Sequence, residues 1–472
     1  MRESLRRKGL RCRPAARNFS RVVKKTAFKI LLMHDARIYG NRATLAPRDA
    51  VAFASSSKTA VVAVRLPREA TTTFERILLT SMSVLIPLEG FIPDVGGFSV
   101  IWFWFAVIAG YVFGKRLRDL RKVWLHPVFL AAYVMLALDS LIELSHPSAS
   151  FYDIGRIAQM ILGAVFVASL CRDREALQAS VYGYILAGLW LSVLLLTNSY
   201  HTLSGATATD FRDAGLVRDQ LTSEIPLTAN VNALAAQVAA GAAAALALVL
   251  TTRTAFRRYL FLGITLILLI GAFMPMSRGG VAILMVSCAS VMCAAGTKRG
   301  QTILVGVLLI AALAIWVPEA VWSRMTFSAQ PVGGKIDPRA EVYAAAIRNM
   351  PEYILTGVGS GNYWDSWAWG KPGFRYHDGV LGAHNVFFQV TIFWGLSGLV
   401  GLLDLIWQAY RCLPKRIGKD GMSLCLLGTS IALFLLMMVR HELSSKEFAI
   451  GLGLLVAARI WIWPRGIVPL GS

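Results

Sequence analysis

Apolar residues gather along this chain in blocks of roughly 15–24, each long enough to cross the hydrocarbon core of a bilayer as a helix. A backbone in lipid has no water to bond with, and a helix satisfies its N–H and C=O groups within one segment. The blocks predict about twelve spans, near 73–88, 98–114, 124–144, 155–171, 178–197, 229–250, 258–275, 280–296, 302–317, 386–408, 422–439 and 448–463. The first is short, with Glu75 and Arg76 at its start and Pro87 near its end. Composition agrees: 56% of the 472 residues are hydrophobic and 16% are charged, where soluble domains carry about 25% charged. A water-soluble globule, a disulfide-stapled secreted domain and a transmembrane barrel are excluded as first readings. So is nucleic-acid binding, because in a membrane protein the net charge of +21 reports orientation first. The run ALAAQVAAGAAAALALVL at 233–250 is rich in Ala and Gly, which suits close helix–helix packing in lipid.

Lys and Arg divide alternate connections into two sets. Connections 115–123, 172–177, 251–258, 297–301 and 409–421 hold 16 basic residues in 41 positions. Connections 89–97, 145–154, 198–228, 276–279, 318–385 and 440–447 hold 11 in 130. The positive-inside rule puts the first set in the cytoplasm and the second outside. With an even number of spans, both termini are expected in the cytoplasm. Cysteine placement agrees: Cys12 and Cys412 fall in cytoplasmic segments, Cys171 borders one, and Cys288, Cys293 and Cys425 lie in spans toward that side. No disulfide framework is implied.

The expected organisation is a basic cytoplasmic arm at 1–72, membrane helices at 73–197, an outer loop at 198–228 and further membrane helices at 229–317. A large outer loop at 318–385, between spans 9 and 10, C-terminal helices at 386–463 and a cytoplasmic tail at 464–472 complete it. The arm holds 17 Lys+Arg against four acids and lacks the apolar stretch of a secretory signal. It reads as a segment drawn to anionic lipid headgroups, although its composition also fits an organellar transit peptide.

Two outer connections are long, and long structured loops usually carry function. The larger holds four of the chain's thirteen Trp, and within it RAEVYAAAIRNM has the pattern of an amphipathic helix, so a folded lid is expected. Three features coincide on this face. Arg278 in PMSRGGVAI sits at a membrane boundary, where its fork suits phosphate oxygens and the two following glycines allow close approach; snorkelling into headgroups is the plainer alternative. His384 in LGAHNVFFQV stands where the long loop re-enters the membrane. A neutral imidazole there can accept a hydroxyl proton, with Asn385 beside it to orient bound groups; taken alone, a single His is more often structural. Further outer cations are Arg212, Arg218, Arg339, Arg348 and Arg375, with Arg156 at the outer start of a span as another candidate for an anionic group. Arg212 and Arg218 alternate with Asp210, Asp213 and Asp219, a pattern equally consistent with a self-paired solvated loop.

Other patterns carry less. GVGSGNYW lacks the context of a nucleotide loop and reads as a turn. No HExxH, CxxC or clustered acidic set is present, so no metal and no cofactor is expected. Asp139 and Glu143, one helical turn apart in the outer half of a span, fit proton-relay carboxylates or partners of Arg156 or Arg278.

In order, the chain carries TANVNALAAQ opening a span, SRGG opening another, a long outer loop with an Arg-led helix and PEYILTGVGSGNY, then GAHNVFFQVTIFWGLSGLVGLL. This series resembles the O-antigen ligase/O-antigen polymerase superfamily of bacterial envelope enzymes over roughly residues 225–405. The earlier spans agree only in hydropathy, and the N-terminal arm has no counterpart. The resemblance implies an all-α, multi-pass protein of the bacterial inner membrane whose outer face is the periplasm. It implies an inverting glycosyltransferase, using neither metal nor cofactor, that moves a glycan from undecaprenyl diphosphate to lipid A–core or to another lipid-linked repeat. The implied partners are that donor, a glycan or lipid A–core acceptor and membrane lipids.

By the same resemblance the catalytic histidine falls on His384 and the SRG-motif arginine on Arg278, while Arg212 and Arg218 both match the first loop's arginine. Arg339 opens the loop helix and is followed by Tyr343 where the family often has Trp. A sugar diphosphate already has a good leaving group, so charge stabilisation and one base suffice. Arg278, with Arg212 or Arg218, would neutralise the diphosphate, helped by Arg339 and Arg156, and His384 would take the acceptor's proton. The alternative from another class is a lipid-linked glycan flippase or other polytopic transporter, which the Asp139/Glu143 pair favours. The absence of an internal repeat and the gathering of polar groups at one face weigh against it.

Overall fold

A computed structural model of the chain describes residues 70–89, 100–145, 151–205, 231–296, 338–361, 367–376, 379–380, 382–383, 385–414, 420–439 and 445–463, with 306, 317, 321–322 and 417. The predicted span 302–317, the arm and the tail lie largely or wholly outside the described residues. Helices dominate: α1 Thr73–Leu85, α2 Val100–Lys115, α3 Leu117–Trp124, α4 Pro127–Leu144, α5 Phe151–Leu170, α6 Arg174–Gly205 and α7 Val231–Thr251. They continue with α8 Ala255–Phe273, α9 Arg278–Ala295, α10 Pro338–Arg348, α11 Met350–Tyr353, α12 Val386–Cys412, α13 Gly421–Val439 and α14 Lys446–Ala457, which ends in a π-helical turn Ala458–Ile462. Among the described residues, strand pairing is confined to a two-residue antiparallel ladder, β1 Arg375–Tyr376 with β2 Gly379–Val380.

Among the described residues, seven helices (α4, α6, α7, α8, α9, α12 and α13) are long and apolar enough to cross a membrane, and up to eight spans result if α2 and α3 form one bent span. The protein is therefore a helical, multi-pass membrane protein. Several boundaries differ from the sequence reading. Helix α6 runs to Gly205, past the expected end at 197, and α1 gives way to a turn after Leu85. Most of the basic run KRLRDLRK, expected as a connection, is helical: from Leu117 onward it opens α3, which turns 104° away from α2. Its pattern explains this: Leu120 and Val123 are buried while Arg118, Arg121 and Lys122 face out, an amphipathic helix too short and too charged to cross.

Helix α7 is the centre of the bundle. Ala233 through Leu248 is buried throughout, and α6, α8, α9 and α13 pack around it. Small side chains let these backbones approach closely, which is how helices associate where lipid removes the hydrophobic drive between them. Gly280 of α9 is one such point, since a Cβ there would overlap the Ala235 methyl group. A second pairing, α4 with α12, stands beside α5 and α14 and carries the features described below.

The ion pairs respect the division of connections made from charge alone. At one end, Glu75 holds Arg116 at 2.5 and 2.9 Å with both side chains buried, and the same carboxylate accepts the Thr72 N–H at 2.7 Å as part of the α1 capping box. Arg76 pairs with Glu175 and Asp173, Arg172 with Asp119, and Arg174 with Asp420 at this end. Burial of Asp173 works against its ionisation. The N–H groups of Ala176 and Thr71, together with Arg76, outweigh that and hold the carboxyl below its usual range. At the opposite end, Lys446 pairs with Glu89, joining two connections of the second set, the one poor in Lys and Arg. Five cysteines, Cys171, Cys288, Cys293, Cys412 and Cys425, are free.

Candidate functional site

The features of interest cluster at the Lys446 end, where α9 begins. Arg278 is its first helical residue and its side chain is exposed. Ser277 caps the helix by accepting the Gly280 N–H at 3.0 Å, and its hydroxyl donates to Asn232 Oδ1 at 2.6 Å. The TANVN and SRGG segments are thus joined through one hydrogen bond at the openings of α7 and α9. The preceding Met276 is buried with φ 52°, a left-handed backbone that non-glycine residues seldom adopt. One expectation changes here: Gly280 serves the contact with α7, so it is helix packing that this glycine permits.

Helix α12 is broken at Gly395, where φ is 63° and ψ −154°. That conformation is essentially restricted to glycine. The break frees backbone groups that an unbroken helix would use internally. Ile392 O accepts from Val358 N–H at 2.8 Å, Phe393 O accepts from Gly359 N–H at 2.9 Å, and Leu396 N–H donates to Ile354 O at 2.7 Å. The GVGSG stretch, expected as a turn, is laid into the break as an irregular strip in which Gly357 and Gly359 take φ of 77° and 81°.

Two carboxylates hold that strip from α4. Asp139 accepts the Ser360 N–H at 3.2 Å, the Ser360 hydroxyl at 2.6 Å and the Trp394 indole N–H at 2.6 Å. Glu143, one turn on, accepts the Gly361 N–H at 2.5 Å. Both acids are fully buried. A side chain at Gly361 would meet the Glu143 carboxylate at 2.9–3.0 Å, so the close approach depends on glycine. This use of the two acids differs from the proton-relay reading.

Above the break, the long loop has its own core. Val342, Ala345 and Ala346 on α10 bury against Tyr353, Phe374 and Ile392, and the Tyr353 hydroxyl donates to Ala346 O at 2.7 Å. Tyr343 stacks on Phe388 with ring centres 5.4 Å apart. Trp367 packs on Tyr353 and Phe374 and donates to Glu352 at 2.9 Å. Lys371 at 2.6 Å and that indole N–H hold the Glu352 carboxyl below its usual range. The expectation of a folded segment in place of a solvated linker is met for the described residues.

Of the candidate residues, Arg156 lies in the first part of α5, partly exposed, at the same end as Arg278. Position 339 lies in α10, one turn before Tyr343. Arg212, Arg218 and His384 lie outside the described residues. The residues flanking 384 are described: Ala383 N–H donates to Gln389 Oε1 at 2.9 Å. Asn385 is the N-cap of α12, accepting from Phe387 and Phe388 N–H at 2.9 and 3.4 Å. The Asn385 oxygen is therefore engaged by the helix, a role its position before an apolar run already signals.

Among the described residues, the bundle of membrane helices exposes Arg278 at one end, and the folded part of the long loop lies at that same end. Residues 263–403, from α8 through the break in α12, match the family described as O-antigen ligase. The match covers 141 of the 472 residues. No curated protein matches the chain. Asp139 and Glu143 lie outside the matched segment, whereas Ser360, Gly361 and Trp394 lie within it.

Proposed function

We propose that the protein is an inverting, metal-independent glycosyltransferase of the bacterial inner membrane that works at the periplasmic face. It moves a glycan from undecaprenyl diphosphate to the hydroxyl of an acceptor sugar, as an O-antigen or exopolysaccharide polymerase or an O-antigen ligase does. The observation that carries this reading is the O-antigen ligase match across α8, α9, the loop and the first part of α12, with Arg278 exposed within it. Arg278 neutralises the departing diphosphate, assisted by Arg156, Arg339 and one of Arg212 and Arg218. His384 takes the proton of the attacking hydroxyl. The loop covers the reacting groups and limits attack by water. Both termini are cytoplasmic, and the donor's isoprenoid chain lies in the lipid between helices.

The test is turnover of a lipid-linked donor by purified protein in detergent, with EDTA present. Transfer to acceptor is expected, and His384→Ala should lower its rate by about 10²–10⁴-fold while the protein still inserts and purifies normally. A flippase needs two compartments and would show no turnover in detergent, so movement of donor across vesicles without transfer would overturn the reading.

A further inference from the structure

We propose that Asp139 and Glu143 are positioning residues for glycan transfer: from α4 they hold the 357–361 strip in the break of α12 and thereby orient the half-helix 386–394. The inference rests on the proposed transfer reaction and extends it to residues outside the matched segment.

Three observations carry it. First, neither carboxylate has an exposed surface, and each accepts hydrogen bonds from groups of the strip or of α12. Asp139 takes two groups of Ser360 and the Trp394 indole, and Glu143 takes the Gly361 N–H. A proton relay needs an exchange path to water; a clamp needs several short bonds to different elements, and that is the arrangement present. Second, the half-helix 386–394 ends at the Gly395 break, so its direction is not inherited from the rest of α12. It is set by the backbone bonds of Ile392 and Phe393 to the strip and by Trp394 on Asp139. Third, the half-helix ties down the residues on either side of position 384, through the Asn385 cap and the Ala383 bond to Gln389. The acids therefore reach the reacting region through the strip and the half-helix, without touching substrate. Misplacement of a reacting group by an ångström costs as much as about 100-fold in rate, which is the scale on which such a clamp acts.

The experiment compares wild type with Asp139→Asn and Ser360→Ala as full-length purified proteins. An amide offers one acceptor oxygen and turns an NH2 toward donors; the alanine removes only one hydroxyl and covers the case in which the Asp139 variant fails to fold. For Asp139→Asn, kcat should fall about 10–100-fold with donor KM changed less than about threefold, and Ser360→Ala should fall less. Amide exchange in peptides covering 354–361 and 386–396 should quicken in both variants, while α7 stays as protected as in wild type. Loss of kcat with unchanged exchange would mean that the carboxylate acts chemically, and a raised KM with unchanged kcat would mean that it binds donor; either overturns the proposal. Should wild type transfer no glycan at all, the proposed function fails, and the exchange measurement alone still decides whether the acids hold the half-helix.

Discussion

Arg278 begins α9 with an exposed guanidinium, while its neighbours serve the fold: Ser277 caps the helix and bonds Asn232, and Gly280 lets α7 come close. The motif thus divides between an exposed guanidinium and groups that fix where it stands. If the guanidinium grips a diphosphate with two parallel hydrogen bonds, Arg278→Lys should lose about 10²-fold in transfer rate, since an ammonium is a point charge. Initial rates with a lipid-linked donor check this, and full activity in the lysine variant would leave only a generic need for positive charge. Asn385 makes a similar point from the other side. Its polarity beside His384 invites a role in binding, yet its oxygen caps α12.

At the level of elements, the break in α12 carries the most consequence. A continuous helix would satisfy its own carbonyls and leave the loop outside the bundle; interruption at Gly395 opens three backbone groups that take the strip in. Gly395→Ala forces a Cβ into a backbone conformation reserved for glycine and to within 2.5 Å of Leu355 O. It should destabilise the protein by about 1–3 kcal/mol, seen as a lower melting temperature in detergent, together with lost transfer. An alanine variant as stable and active as wild type would show that the break is dispensable. Helix α7 is the contrasting case, because its Ala-rich sequence already announces close packing on every side, and the structure surrounds it with four helices.

Across the whole molecule, charge sorts the connections into two ends, and the ion pairs keep to that sorting: Arg116, Arg172, Arg174 and their acids at one end, Lys446 and Glu89 at the other. Under the positive-inside rule the first end is cytoplasmic. Arg348 and Arg253 are exposed and belong to opposite ends. In spheroplasts, a membrane-impermeant maleimide should label Arg348→Cys directly and Arg253→Cys only after permeabilisation, and the reverse pattern would invert the proposed orientation.

The apolar blocks, the two kinds of connection, the dense packing of 233–250 and the folded character of the long loop were all legible in the amino-acid order. Each is a local property: hydropathy over one helix length, charge over one connection, side-chain size along one helix. The resemblance to O-antigen ligases was likewise carried by short segments in series. The clamp was not legible, because its bonds join residues 218 to 255 positions apart and pair side-chain oxygens with backbone N–H groups that every sequence possesses. Asp139 and Glu143 read as proton carriers or as partners of Arg156 or Arg278 for the same reason: an acid in an apolar segment announces that it needs a partner without saying which. Folding supplied the partner by breaking α12 at a glycine and bringing a glycine-rich strip against the two acids, where burial left their bonds no competition from water.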